Sequence, residues 1–219
     1  MLSKVPRITC NFDIASAHCW FAFEELISYR QSTNIPVSFV PVHAASIMNT
    51  IGHKILYYEK TLRDYNFYEI ETLGKIYNLN ISPPDDAFEK LSNTGTFCAQ
   101  RFLAAVQELS PTFYESACRE AWKRLWSENR HVHSDEDFEE ICQSTGIDYD
   151  IMSSLPDDKW TLKINDSNKK VIEQKCFGVP WISVKNSVNQ SATFFGADRL
   201  PLVFRFLEEE YDRKRSMIN

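Results

Sequence analysis

The chain has 219 residues, of which 43% are apolar and 13% aromatic, with only six glycines and a formal net charge of −6. This composition excludes a disordered or fibrous polypeptide and leaves ample material for a large, helix-rich core. No Lys/Arg cluster is interleaved with aromatics, so nucleic acid is not an expected partner, and no apolar run reaches the ~18 residues of a membrane span.

In chain order, Met1 to Arg7 lacks the apolar core of a secretory signal, and the terminal Ser216-Met217-Ile218-Asn219 is no clear peroxisomal address. Ile8, Cys10 and Phe12 then alternate with Thr9 and Asn11, the pattern of a strand with one buried face. After Ser16 the period changes, and Cys19, Ala22, Phe23, Leu26 and Tyr29 or Arg30 recur at helical spacing. Ser16 is a good N-cap for that helix. Asn34 to Val42 reads as a second strand whose prolines place it at or near a sheet edge, which completes a parallel βαβ unit.

From about Ser46 to Gln174 no strand pattern is convincing. Helices are expected at Lys60 to Leu79 and at Asp86 to Leu109, the latter with Phe88, Leu91, Phe97, Phe102, Leu103 and Val106 and a kink or break at Gly95. Ser110-Pro111 opens another, striped by Phe113, Ala117, Ala121 and Leu125 with Cys118 and Trp122 beside it. Ser134 to Asp137 resembles a capping box with Asp in the place of Glu, and Asp166 to Cys176 is read as the last helix of the segment. The sheet resumes at Val179 to Val184 and, after a polar turn at Asn186 to Gln190, at Ala192 to Phe195. Asp198 is an N-cap candidate for a closing helix striped by Leu200, Val203, Phe204, Leu207 and Tyr211, with Glu208 to Lys214 as its solvated end.

The six cysteines, at 10, 19, 98, 118, 142 and 176, are scattered and read as buried free thiols of a reducing compartment. His131 and His133 lack ligands at metal-binding spacing, and no metal site is expected.

The junction at Ser16 carries the chemistry. A strand running into a helix N-terminus presents free N–H groups and the positive end of the helix dipole, a setting that stabilises phosphate, carboxylate or thiolate. In redox proteins of the thioredoxin fold this place holds Cys-x-x-Cys. Here the first position is Ser16 and the fourth is Cys19, so the residues permit either a plain N-cap or a hydroxyl that donates to a thiolate brought by a ligand.

The order βαβ, helical insertion, αββα is that of thioredoxin-fold proteins with an inserted helical domain. Within it, Phe12-Asp13-x-x-Ser16-x-x-Cys19-Trp20-x-x-Phe23-Glu24, Arg101-Phe102-Leu103-x-Ala105-Val106, Gly178-Val179-Pro180 and Phe195-Gly196-x-Asp198-Arg199 together resemble the kappa-class glutathione transferases. These are relatives of the disulfide oxidoreductase DsbA and of 2-hydroxychromene-2-carboxylate isomerases. The resemblance covers nearly the whole chain.

It implies an α/β fold, a thioredoxin-like domain of the DsbA/kappa type over residues 1–45 and 175–219 with a large all-helical insertion over 46–174. It implies glutathione as co-substrate, no other cofactor, and conjugation of the glutathione thiolate to small apolar electrophiles. Ser16 matches the catalytic serine, with Ala17 and His18 in the loop beside it. Val179, before an expected cis-Pro180, would pair with the cysteinyl backbone of glutathione. Ala197 and Asp198 match the pair that receives the γ-glutamyl group, His53 a contact to the glycyl end, with Lys60 or Arg63 as the positive charge there.

The chain departs from the family pattern, which has serine at the place of Cys19, tyrosine at His18, asparagine at His53 and serine at Ala197. Cys19 faces the apolar stripe and is read as packing. A dithiol oxidoreductase is disfavoured by its missing partner cysteine. The alternatives are a glutathione-dependent isomerase on the same scaffold and a glutathione-binding or scaffold protein with little turnover. Resemblance further implies a homodimer in mitochondria or peroxisomes.

Overall fold

The structure, a computed structural model, describes residues 5–53, 59–86, 90, 91 and 95–216, with side chains as far as residue 208. Strands β1 (Arg7–Phe12), β2 (Val37–Pro41), β3 (Trp181–Lys185) and β4 (Ser191–Phe195) form one open sheet in the order β2-β1-β3-β4. β2 runs parallel to β1, while β3 is antiparallel to both β1 and β4. Cys10 sits opposite Phe39 on one side and Ile182 on the other. The proline-bounded β2 is an edge strand, where a missing N–H costs least.

Eight helices accompany the sheet among the described residues: α1 (Ala17–Thr33), α2 (Ala44–Ile51), α3 (Lys60–Ile76), α4 (Phe97–Leu109), α5 (Tyr114–Trp126), α6 (Asp135–Thr145), α7 (Asp158–Glu173) and α8 (Leu200–Ser216). Among the described residues no strand lies between β2 and β3, and no helix is long and apolar enough to cross a membrane. The result is a mixed α/β core with a large helical insertion, the expected fold class.

α1 holds sheet and insertion together. Its first two turns are buried on nearly every side, because β2, α5, α3 and the turn at 197–199 all pack on it. Phe23 meets Phe39 at 4.3 Å, and Trp20 stacks on Trp122 at 6.2 Å with an interplanar angle of 4°. Trp126 Nε1 donates to the carbonyl of Ile14 at 2.9 Å, and Arg119 makes two hydrogen bonds to Glu24. One continuous apolar core therefore runs from the sheet into the insertion.

Several expectations need correction. α7 begins eight residues earlier than read, because the Asp157 side chain accepts from the N–H of Lys159 at 2.9 Å and the buried stripe Trp160, Ile164, Asn168, Val171 starts there. Phe113 belongs to a 3-10 turn over Pro111–Phe113 and is 36% exposed; Tyr114 takes its place on the buried stripe. Gly95, at φ +68, lies just before α4, a break rather than a kink. Asp198 is not an N-cap: it lies within a 3-10 turn, Ala197–Arg199, that runs directly into α8. Cys98 is exposed, unlike the other five cysteines. Phe88 and the side chain of Tyr211 fall outside the described residues.

Candidate active site

β1 ends at Phe12, and the chain turns through Asp13 to Ser16 before α1 begins. The N–H of Ser16 donates to Asp13 O at 3.1 Å, while the extended backbone of Ser16 and its Oγ, accepting from Cys19 N at 3.4 Å, make it the N-cap of α1. The Asp13 carboxylate is fully buried. It accepts from the amides of Ala15 and Ala44, Thr96 Oγ1 and Gln100 Nε2 at 2.6–3.0 Å. This fixes the turn before Ser16 against the starts of α2 and α4.

The turn opens onto a cavity of about 590 Å³. Of the residues expected at the site, Ser16, His18, His53, Val179, Pro180, Ala197 and Asp198 all line it. Ala17 does not. Together with His18 it forms the first turn of α1 rather than a loop, and its side chain is packed into the core. Lys60 and Arg63, at the start of α3, do not line the cavity either, and Arg63 pairs with Asp64 at 3.6 Å.

The Val179–Pro180 peptide bond is cis. Pro180 O accepts from the N–H of Gly196 at 3.0 Å, which holds the 177–180 segment beside the turn at 196–199. Among the described residues, the N–H and C=O of Val179 have no backbone partner. His53 follows the left-handed Gly52 that caps α2. His18 Nε2 stands 3.5 Å from Glu69 Oε2 on α3. Burial lowers the pKa of His18 below the ordinary histidine value, against the opposing pull of Glu69 and Asp198.

The cavity also has walls that the sequence reading missed. Phe21, Met48, Leu73, Tyr77, Phe177 and Phe195 make it largely apolar, and Asp13 and Thr96 also line it. Phe177 precedes the Gly178-Val179-Pro180 motif directly and was within reach of that signal. The α3 residues were not, since only the packing of α3 on α1 brings them to Ser16.

A family model for the DSBA-like thioredoxin domain matches residues 7–208. The chain belongs to this family. Among its curated relatives, glutathione S-transferase kappa 1 of Homo sapiens is 29% identical over 217 residues, 96% of this chain and 95% of that protein. Glutathione S-transferase kappa 1 of Caenorhabditis elegans is 25% identical over 211 residues, 95% and 93% of the two chains. Among solved structures, a 2-hydroxychromene-2-carboxylate isomerase superposes with a TM-score of 0.78 at 15% identity, covering 97% of this chain and 98% of that one.

As a DSBA-like thioredoxin domain, the chain lacks the first cysteine of a Cys-x-x-Cys pair, since Ser16 stands there. Its remaining Cys19 is fully buried, and burial pushes the thiol well above its ordinary pKa. This environment suits packing and opposes a reactive thiolate.

Proposed function

We propose that this chain is a glutathione-dependent enzyme in which the Ser16 hydroxyl and the N-terminus of α1 hold the ligand's thiolate. The observation that carries the reading is that Ser16 and Val179 line one cavity, Ser16 at a helix start and Val179 with main-chain groups lacking backbone partners among the described residues. An extended γ-glutamyl-cysteinyl-glycine placed there sets its cysteinyl backbone along Val179. Its sulfur comes to Ser16, its γ-glutamyl ammonium to Asp198 beside Ala197, and its glycyl end toward His53. The relatives named as kappa-class glutathione transferases support the same ligand.

The energies are sufficient. Lowering a thiol pKa from about 8.5 by about two units requires a preference of about 2.7 kcal/mol for the thiolate. A charge-assisted hydrogen bond contributes about 1.5–3 kcal/mol and a helix N-terminus about 0.3–2 kcal/mol.

The thiolate then attacks an electrophilic carbon of a small substrate held by the apolar walls. If another group departs, the result is conjugation; if the thiolate itself departs after bond rotation, the result is isomerisation without loss of glutathione. His18, which lines the cavity and is able to take and return a proton, serves either outcome, so isomerisation stands as the alternative to simple conjugation.

Ultraviolet difference spectroscopy of bound glutathione across a pH series, with the parent and Ser16→Ala side by side, tests the reading. A thiolate band below the ionisation range of free glutathione, weakened by Ser16→Ala, is the expected result. Turnover of a model aryl halide and of a chromene carboxylate, each with glutathione quantified, separates conjugation from isomerisation. Binding without a thiolate band leaves a binding protein, and no binding overturns the ligand.

A further inference from the structure

We infer that His18 is the proton acceptor for the bound thiol and that Glu69 is the positioning residue that holds it in the accepting tautomer. The inference rests on the glutathione reading above and adds the fate of the proton. His18 lies two residues after Ser16, in the first turn of α1, and both side chains line the same cavity. Nε2 stands 3.5 Å from Glu69 Oε2, so the tautomer that turns its ring N–H toward that carboxylate leaves the lone pair on Nδ1. Among the described residues no hydrogen bond engages Nδ1. Phe21 packs edge-on against the ring, with centroids 5.9 Å apart at 87°, and limits its rotation.

The surrounding charges suit a ring that is neutral before the reaction and charged during it. Burial and the N-terminus of α1 disfavour an imidazolium before the ligand's thiolate forms. Glu69 from α3 and Asp198 from the turn before α8 favour one, while Asp13 from the β1–α1 turn and His53 after α2 line the same cavity. In the proposed step the S–H bond of the ligand breaks and its electron pair stays on sulfur. The proton forms the N–H bond at Nδ1, and the imidazolium stands between the new thiolate and the Glu69 carboxylate. A bound ligand that excludes water strengthens both pairings. After attack on the electrophile, the proton leaves with the displaced group or returns to the rearranged product.

A merely packed histidine predicts a different proton count. Calorimetry of glutathione binding in two buffers of different ionisation heat, just above neutral pH and alongside the thiolate band, measures how many protons reach solvent per thiolate formed. For the parent, the thiolate is expected with little proton release. For His18→Gln, one proton per thiolate appears in the buffer, and the midpoint of the thiolate band moves up by about one pH unit, a tenfold loss of preference for the thiolate. Glu69→Gln, on a half-exposed side chain, keeps the fold and gives an intermediate release. One proton released per thiolate by the parent and by both variants overturns the inference while leaving the Ser16 site intact. No glutathione binding overturns the ligand reading, and this inference with it.

Discussion

The carboxylate of Asp13 accepts a hydrogen bond from Gln100 Nε2 at 2.7 Å, which ties the turn before Ser16 to the first turn of α4. Thr96 Oγ1 and two backbone amides also donate to it, so among the described residues this buried carboxylate is held by four donors. Asp13→Asn replaces one acceptor oxygen by an NH2 group that faces those donors. A loss of about 3 kcal/mol in unfolding free energy is expected, seen as a lower urea midpoint at unchanged slope. Affinity for glutathione should fall as well, because the Ser16 turn loses its tether.

Ser16→Ala should separate function from stability. The capping bond from Cys19 N to Ser16 Oγ is long, at 3.4 Å, so its loss is expected to cost about 0.5 kcal/mol, the low end for an N-cap. The hydrogen bond to a thiolate is worth about 1.5–3 kcal/mol, so kcat/KM should fall about 10- to 100-fold. Thermal unfolding and glutathione-dependent turnover, measured on the same preparations, check both halves.

Ser16→Cys completes a Cys-x-x-Cys pair with Cys19. A sulfur at position 16 sits at the helix start, where the thiolate is favoured, while Cys19 is buried with its thiol pushed up. The variant should gain an oxidisable dithiol and insulin reduction that the parent lacks. Thiol counts before and after mild oxidation provide the measurement, with a loss of two expected only in the variant.

Much of the fold that frames the cavity was legible because its signals are local. The change of period at Ser16, the hairpin of β3 and β4, and the Ser134–Asp137 capping box each span only a few residues. What stayed hidden depends on distant contacts. Glu69, Leu73 and Tyr77 reach the cavity only because α3 packs on α1, and Asp13 gains its partners only when α2 and α4 close over it. The early start of α7 was missed because Pro156 and the paired Asp157 and Asp158 carry no apolar stripe, although Asp157 is the cap. Arg124, in the middle of an aromatic stripe, is buried without any sequence sign of the carboxylates that neutralise it.

Cysteine reactivity follows burial. Burial pushes Cys10 up to about 12 and Cys142 and Cys176 up to about 11, and it holds Cys19 and Cys118 well above the ordinary value. Cys98 alone is exposed. The folded protein should therefore show one fast thiol toward an aromatic disulfide reagent and the other five only on unfolding. Cys98→Ser should remove the fast phase.

Arg124 offers a pH-dependent test of the insertion. It donates to Asp137 at 2.8 Å and to Glu140 at 2.7 Å, and it is 1% exposed. Burial works against ionised Asp137, but the N–H groups of His133 and Ser134 together with Arg124 outweigh it and hold its pKa below the ordinary value. A carboxylate with a depressed folded pKa contributes stability that is present above the unfolded value of about 3.9 and is lost as pH falls through the folded one. Arg124→Met removes the cation and leaves Asp137 with only its local donors, so a loss of about 3 kcal/mol is expected at neutral pH. The difference between parent and variant should begin to narrow below about pH 4, as the unfolded chain binds protons, and close only as pH falls through the depressed folded pKa of Asp137, where the pairing itself is lost. Denaturant unfolding at both pH values checks this, and an undiminished difference in acid would place the role of Arg124 in packing instead of charge.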